Sequence, residues 1–372
     1  MRAILACGGT GGHINPAIAI ANAIKAEHPE AEILFIGAKV GMEGELVSKA
    51  GFPIEFIDIE GFARKVSLHN AVVMMKLGGS MLQSHKILKR FRPDIVIGTG
   101  GYVTGPVLLT ASKMGIPTLI HEQNAFAGVT TRLLAKHVDR ICVAFCEVKK
   151  LDADSSKIVY TGNPIRAAFK GVEQKTAKRQ LGIDDGLPFV ICFGGSLGSQ
   201  KINECMTDYI KKTYRENKYH LLLVTGDLYI EDVRDELKAS HIDLSHSKIY
   251  LKNYLDDMHK YLAAADVVIC RSGALSLSEI NYLGKASILI PSPNVTDNHQ
   301  EFNADAVVSA GGAIKISEKD LSPETLYRAI ESLLTHPSEI TVMAERSRRI
   351  GTGDAAEKIL KEIHGLLEKG RT

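Results

Sequence analysis

The chain has 372 residues, 45% of them hydrophobic and 24% charged, with a formal net charge of +2. That length suggests about two domains with sizeable cores, and the near-neutral balance argues against a nucleic-acid partner held by bulk charge, though not against a local basic patch. Tryptophan is absent and aromatics make up 6%, which leaves little for aromatic stacking platforms.

The apolar run that opens the chain ends at Cys7, too short for the core of a signal peptide, and glycines follow it. No run of about 18 apolar residues occurs, so no membrane span is expected. The protein reads as soluble, or at most as resting on a membrane surface. The six cysteines, Cys7, Cys142, Cys146, Cys192, Cys205 and Cys270, form no C-x-x-C pair. They read as reduced thiols of a cytosolic protein, with a cysteine nucleophile as the minor alternative.

In chain order, short apolar runs alternate with helical patterns. Residues 3–7, 32–36, 95–97, 118–120 and 140–143 read as buried strands, and so do 189–193, 220–224, 267–270 and 287–290. Helical patterns cover 16–26, 44–50, 128–134, 201–212 and 274–283, and an amphipathic one covers 354–369. Such alternation specifies parallel sheets with helices on both faces. The series runs twice, with a polar stretch at 170–186 between the two. The expected domains are 1–163 and 164–345, with a C-terminal helix in 346–372 that can pack back on the first or on the second. Two such domains side by side make a cleft at the carboxyl ends of their strands.

Glycine-rich loops follow several of these strands. "CGGTGGH" (7–13) lies between the first strand and a helix expected to start near Pro16, with Asn15 as its N-cap. Glycines let a backbone approach a ligand closely, and helix N-termini offer N–H groups to anions. The loop is therefore a candidate sugar-diphosphate cradle, or a bare strand–helix turn. It matches neither the dinucleotide fingerprint G-x-G-x-x-G nor a P-loop. "TGGYVTGP" (99–106) and "FGGSLGSQ" (193–200) repeat the device, and Ser196 adds a hydroxyl that suits a phosphate or a local cap.

His13 fits a general base, since histidine accepts a proton near neutral pH, and it equally fits a side chain that closes the turn. "HEQN" (121–124) puts four polar groups at a strand end, for a site or for a structural network. In "CRSGALSLSEI" (270–280), Ser272 is the expected cap, and Glu279 suits a ribose diol or a solvated helix face. "PSPNVTDNHQEFNA" (291–304) has the polar density a sugar requires. The one D-x-D match, Asp152-Ala153-Asp154, reads as a surface turn rather than a metal site.

Taken in order, "GGTGGH", "GGYVTGP", "HEQNAFAG", "TGNPIR", "GGSLGSQ", "CRSGALSLSE" and "DNHQEFNA" resemble one family across about residues 1–310. It is the family of undecaprenyldiphospho-muramoylpentapeptide β-N-acetylglucosaminyltransferases. The resemblance implies a glycosyltransferase-B fold, an α/β architecture of two Rossmann-like doubly wound domains facing a cleft. It implies transfer of N-acetylglucosamine (GlcNAc) from UDP-GlcNAc to the C4 hydroxyl of the muramoyl sugar of lipid I, giving lipid II with inversion at the anomeric carbon.

By the same resemblance the second domain holds the donor. Ser196 meets the diphosphate, Leu255 the uracil, Ala274 the uridine, Glu279 the ribose, and Gln300 and His299 the transferred sugar. Arg166 lies near the nucleotide. Thr10, Gly11, Gly12 and Asn124 reach the donor from the first domain, and Gly101, Tyr102 and Thr104 serve the acceptor. His13 is the first choice of base and Glu122 the second. No cofactor and no obligatory metal are implied.

A lipid acceptor implies the cytoplasmic face of the cell membrane, with wall-synthesis proteins as partners and no nucleic acid. It also turns the reading of segment 62–93. Alone, that stretch is a core helix with a basic solvent face. Beside a lipid acceptor, Val72, Val73, Met74, Met75, Leu77, Met81 and Leu82 among Arg64, Lys65, Lys76, Lys86, Lys89 and Arg90 suit an interfacial element. The rivals are another UDP-sugar enzyme of this fold (a glycolipid synthase or a UDP-GlcNAc 2-epimerase), a non-catalytic scaffold, and a nicotinamide dehydrogenase, which lacks its fingerprint here.

Overall fold

The structure is a computed structural model that describes residues 1–60, 68–245 and 247–369, with the backbone alone for 68–75. The chain forms two compact units, Met1–Arg166 with Gly353–Thr372, and Ala167–Thr352.

In the first unit, strands β1 (Arg2–Ala6), β2 (Glu32–Ala38), β3 (Ile54–Ile57), β4 (Ile95–Gly98), β5 (Thr118–Glu122), β6 (Arg140–Val143) and β7 (Ile158–Tyr160) form one parallel sheet, ordered β3-β2-β1-β4-β5-β6-β7. Both faces are covered, which is why β1 is apolar at every position after Arg2. Ala3 and Leu5 face a core built with Ile20 and Ile24 of the first helix, while Ile4 and Ala6 face one built with Val107 and Leu108.

In the second unit, strands β8 (Phe189–Phe193), β9 (His220–Val224), β10 (Ile249–Lys252), β11 (Val267–Cys270), β12 (Ala286–Leu289) and β13 (Ala313–Lys315) form a parallel sheet ordered β10-β9-β8-β11-β12-β13. These are two doubly wound α/β domains, as the resemblance implied. Each sheet reverses its order once, between β1 and β4 and between β8 and β11. Loops at those switch points are where open α/β sheets bind ligands.

Three sequence expectations change. The first helix runs Gly11–Glu27 with Thr10 at its N-cap, so it starts five residues before Pro16 and Asn15 is not the cap. Pro16 is tolerated because its missing N–H removes one bond, close to the helix start. His13 therefore rides on the first helical turn instead of in the loop. Ser272 is not a cap either: Gly273 precedes helix Ala274–Leu283, and the Ser272 hydroxyl donates to the Gln300 carbonyl at 2.8 Å. Finally, residues 346–350 do not return to the first domain. They end helix Pro337–Ile350, which the second domain holds through Ser347 Oγ to Asn281 Oδ1 (3.0 Å) and Arg348 Nη2 to the Leu283 carbonyl (2.9 Å). Only helix Ala355–Lys369 joins the first unit, burying Ile359 and Ile363 against the first helix and pairing Glu362 with Arg140 at 2.8 Å.

Of segment 62–93, Arg64, Lys65, Val72, Val73, Met74 and Met75 lie outside the residues whose side chains are described. The remainder of helix Leu68–Phe91 is amphipathic: Ile87 and Leu88 join the core, Lys86 and Lys89 are exposed, and Arg90 pairs with Glu55. Leu82 is 68% exposed. Among the described residues no helix is long and apolar enough to cross a membrane.

Candidate active site

The loops after β1 and β4 meet because their strands are neighbours at the switch point. Gly100 and Gly101 both have positive φ, +105° and +81°. A Cβ on Gly101 would lie 2.2 Å from the Gly8 carbonyl oxygen, and one on Gly100 would lie 2.6 Å from His13 Nδ1. The pair is glycine so that one loop can seat the other and the imidazole. Thr99 adds a clasp, its Oγ1 donating to the His13 carbonyl at 2.8 Å.

A hydrogen-bond chain fixes the tautomer of His13. His121 is fully buried, and burial pushes its pKa down, so the ring is neutral. Its Nε2 faces the Gly162 carbonyl at 2.9 Å and so carries the hydrogen. Its Nδ1 must then accept, and it does so from Gln123 Nε2 at 2.9 Å. The same Gln123 nitrogen donates to the His121 carbonyl at 2.8 Å. The amide is thereby oriented with Oε1 toward His13, 3.0 Å from Nδ1. The Thr99 carbonyl is also 3.1 Å from Nδ1. Facing two acceptors, Nδ1 holds the ring hydrogen, and the lone pair of the neutral ring sits on Nε2.

Glu122 plays a different part from the one a base needs. It is 3% exposed. Its carboxylate accepts from Asn124 N (3.1 Å), Asn124 Nδ2 (3.2 Å), Gly128 N (3.0 Å) and Thr131 Oγ1 (2.5 Å). Four donors engage both oxygens and tie the loop 123–128 together. Thr104 is likewise buried. Its hydroxyl donates to the carbonyls of Ala6 (2.9 Å) and Gly100 (2.8 Å), so it shapes the loop after β4 and presents nothing to a ligand. Tyr102 is half-buried, its hydroxyl 3.4 Å from the Val40 carbonyl, and burial raises its pKa.

The sequence reading missed Thr99, Gln123 and Glu43. Glu43 is fully buried and accepts from the Gly9 N–H at 2.8 Å, anchoring the first glycine loop. Nothing in "GMEGEL" distinguishes it from a helix-surface acid. Gln123 stood inside a quoted motif, but its role depends on two histidines that only the fold brings to either side of it.

In the second domain, the loop after β8 borders a cavity of about 730 Å³ whose lining includes Gly195, Ser196, Arg271, Gly273, Ser276 and Gln300. Gly198, at φ +79°, packs so closely that a Cβ would lie 2.0 Å from the Thr225 carbonyl oxygen. Two helix N-termini, at Gln200 and Ala274, follow the loops after β8 and β11. Arg271 donates to Ser199 Oγ at 2.6 Å and pairs with Glu318, which stiffens the cavity wall. Gln300 Oε1 accepts from Ser292 N at 2.9 Å, leaving its NH₂ end for other partners.

Ser196 and Gln300 thus share one cavity. Leu255, Ala274, Glu279 and His299 are not part of its lining; the first three are buried, and His299 is half-buried with Nδ1 2.8 Å from the Thr296 carbonyl. Arg166 is exposed and ends the first unit. Asp154 accepts from Ser156 N at 2.9 Å, and Asp152 pairs with Lys136 at 3.2 Å, so the D-x-D match is a surface turn. Burial raises the thiols of Cys7, Cys142 and Cys192, and that of Cys270 to about 12, which makes poor nucleophiles of them.

Models of two protein families match the chain: the glycosyltransferase family 28 N-terminal domain over residues 3–143, and the family 28 C-terminal domain over residues 189–363. The chain belongs to glycosyltransferase family 28.

Within family 28, a relative from Alkaliphilus oremlandii is 45% identical over 99% of this chain and 100% of its own length. One from Acetivibrio thermocellus is 43% identical over 99% of both. Each is named UDP-N-acetylglucosamine–N-acetylmuramyl-(pentapeptide) pyrophosphoryl-undecaprenol N-acetylglucosamine transferase. The crystal structure of Acinetobacter baumannii MurG superposes with a TM-score of 0.79 at 27% identity, covering 98% of this chain and 99% of that one. A UDP-GlcNAc 2-epimerase from Neisseria meningitidis bound to UDP-GlcNAc reaches 0.69 at 15% identity, covering 98% of this chain and 100% of that one, a likeness of fold alone.

Proposed function

We infer that this family 28 chain moves GlcNAc from UDP-GlcNAc to the C4 hydroxyl of the muramoyl sugar of undecaprenyl-diphospho-MurNAc-pentapeptide, lipid I, and so makes lipid II. The observation that carries this is the 43–45% identity over essentially full length to transferases of that name. The epimerase alternative has only a fold-level likeness behind it.

The donor is α-linked and the product β-linked, so one displacement suffices. His13 Nε2 takes the proton of the C4 hydroxyl as that oxygen bonds to the anomeric carbon. The bond from that carbon to the β-phosphate oxygen breaks, and UDP leaves with the electron pair. The Nδ1–H bond to Gln123 and Thr99 holds the lone pair on Nε2 and steadies the imidazolium that forms. First-turn amides at Gly11 and Gly12, and those that open helix Gln200–Thr213 beside Ser196, suit the diphosphate and its growing charge. Gln300 is assigned to the sugar; Leu255, Ala274, Glu279, Arg166 and His299 carry their donor roles on motif position alone. Gly101 and Tyr102 line the acceptor side, with Thr104 behind them.

The reaction needs no obligatory metal in this reading, since helix termini meet the leaving group and the D-x-D carboxylates belong to a surface turn. The lipid acceptor places the work at the cytoplasmic face of the membrane, with the exposed Leu82 beside Lys86 and Lys89 as one contact, and a shared lipid substrate implies partners among the wall-synthesis proteins.

The test incubates the protein with UDP-GlcNAc alone and with a lipid I analogue. A β-linked disaccharide lipid only when the acceptor is present supports the reading. Conversion of UDP-GlcNAc to its 2-epimer, with no transfer, overturns it.

A further inference from the structure

The first helix ends in Glu27, and His28 follows as its C-cap. The last helix carries His364 next to Ile363, whose side chain is fully buried against the first. Packing of Ile20 and Ile24 with Ile359 and Ile363 therefore sets the distance between the three polar side chains. His28 Nε2 and His364 Nε2 are 3.1 Å apart. Glu27 Oε1 is 3.6 Å from His364 Nε2 and 4.0 Å from His28 Nε2. Among the described residues this is the one place where three histidine, cysteine or carboxylate ligand atoms converge within 4.8 Å.

Those three separations fall near the edges of a coordination tetrahedron. Zinc–nitrogen and zinc–oxygen bonds of about 2.0–2.2 Å put neighbouring ligands about 3.3–3.6 Å apart. Two imidazoles and one carboxylate are also a donor set such ions take, with a fourth position open to water. The rings meet at 73° with centroids 5.3 Å apart, so the two Nε2 atoms point toward a common region. A cavity of about 560 Å³, lined in part by His28, His364, Asp94 and Glu368, opens beside them and gives an ion a way in. A hydrogen bond between the two imidazoles accounts for one of the three close approaches, and Glu27 stands beside both rings.

We propose that Glu27, His28 and His364 bind a divalent ion of the zinc class, which clamps the last helix to the end of the first. The site is separate from the transfer chemistry. Glu27 lies fourteen residues along the first helix from His13, about 21 Å. The ion's part is to hold the segment by which the chain returns to its first domain.

The test titrates chelator-treated full-length protein with ZnCl₂ against a chromophoric competitor, and with CoCl₂ followed by visible absorption. Wild type is expected to bind one equivalent at micromolar or lower Kd. Cobalt should give the stronger visible bands of a tetrahedral site. A hundredfold excess of zinc over Kd should raise the melting temperature of the first domain by roughly 5 °C or more. His364→Ala and His28→Gln should each weaken binding at least tenfold and abolish the thermal shift, with circular dichroism and melting in EDTA close to wild type. Transfer activity in EDTA should be unchanged in both. If His364→Ala does not fold, His28→Gln decides alone. No binding at 100 µM zinc, or binding that both variants retain, overturns the proposal. Loss in only one folded variant overturns the shared site as well.

Discussion

His13 Nδ1 and Gln123 Oε1 lie 3.0 Å apart, and that contact leaves Nε2 as the nitrogen of His13 that can take a proton. The orientation of Gln123 is inherited in turn from the buried, neutral His121. Gln123→Leu removes an acceptor and frees the ring to turn, so kcat should fall roughly 10- to 100-fold with KM for UDP-GlcNAc little changed. Gln123→Glu keeps the acceptor and adds a charge that favours the imidazolium. Its kcat–pH profile should keep its shape with the acidic limb moved to higher pH. A limb that stays in place in Gln123→Glu would separate Gln123 from the chemistry.

Glu122 gives a contrasting expectation. Its carboxylate takes four donors from its own loop, so the charge organises the backbone. Glu122→Gln cannot accept from all four and should destabilise the first domain by about 1–3 kcal/mol. Activity should fall without a change in the pH profile of what remains. Loss of one limb of the profile in Glu122→Gln, with stability intact, would make it the base.

Gly100→Ala tests the seat of the imidazole. The new Cβ would stand 2.6 Å from Nδ1, on a backbone at φ +105° that L-residues rarely adopt. The variant should lose about 1–3 kcal/mol of stability, read by urea unfolding. It should lose activity well beyond the unfolded fraction, because the ring is pushed off its two acceptors. Near-wild-type kcat in folded Gly100→Ala would show that the ring does not need this seat.

Lys285 gives the second domain a pH dependence. It is 4% exposed, and its ammonium donates to the Ala263 carbonyl at 2.6 Å. Burial lowers its pKa to about 7. The unfolded chain then binds more protons than the folded one between about pH 7 and the ordinary lysine value near 10.4, so stability rises with pH across that window and the burial penalty is full below it. At most, this one group contributes a slope of about 1.4 kcal/mol per pH unit. Unfolding of Lys285→Met from pH 6.5 to 10 should show that slope reduced by about one proton. An equal slope in wild type and variant would contradict the account.

The sequence read the centre of each sheet and missed its rims. All four strands absent from the reading, β3, β7, β10 and β13, are edge strands. Each is three or four residues long and only partly buried, so none offers the long apolar run that marks a strand buried on both faces, and in β3 Glu55 breaks even the short one. The site shows the same division. Glycine loops were legible because close backbone approach demands glycine. Gln300 was legible as well, since its motif carried a role by resemblance. Glu43 and Gln123 were not legible, because a buried carboxylate under a glycine loop and an amide between two histidines depend on partners 34 and 110 residues away.

The central claim is a transfer reaction with His13 as its base. The most direct test measures labelled GlcNAc moving from UDP-GlcNAc to a lipid I analogue, for wild type and His13→Ala, with EDTA present. Robust transfer by wild type, and a fall in kcat of at least roughly 100-fold in a variant that still binds UDP-GlcNAc, is the predicted result. A His13→Ala enzyme that turns over at nearly the wild-type rate would contradict it.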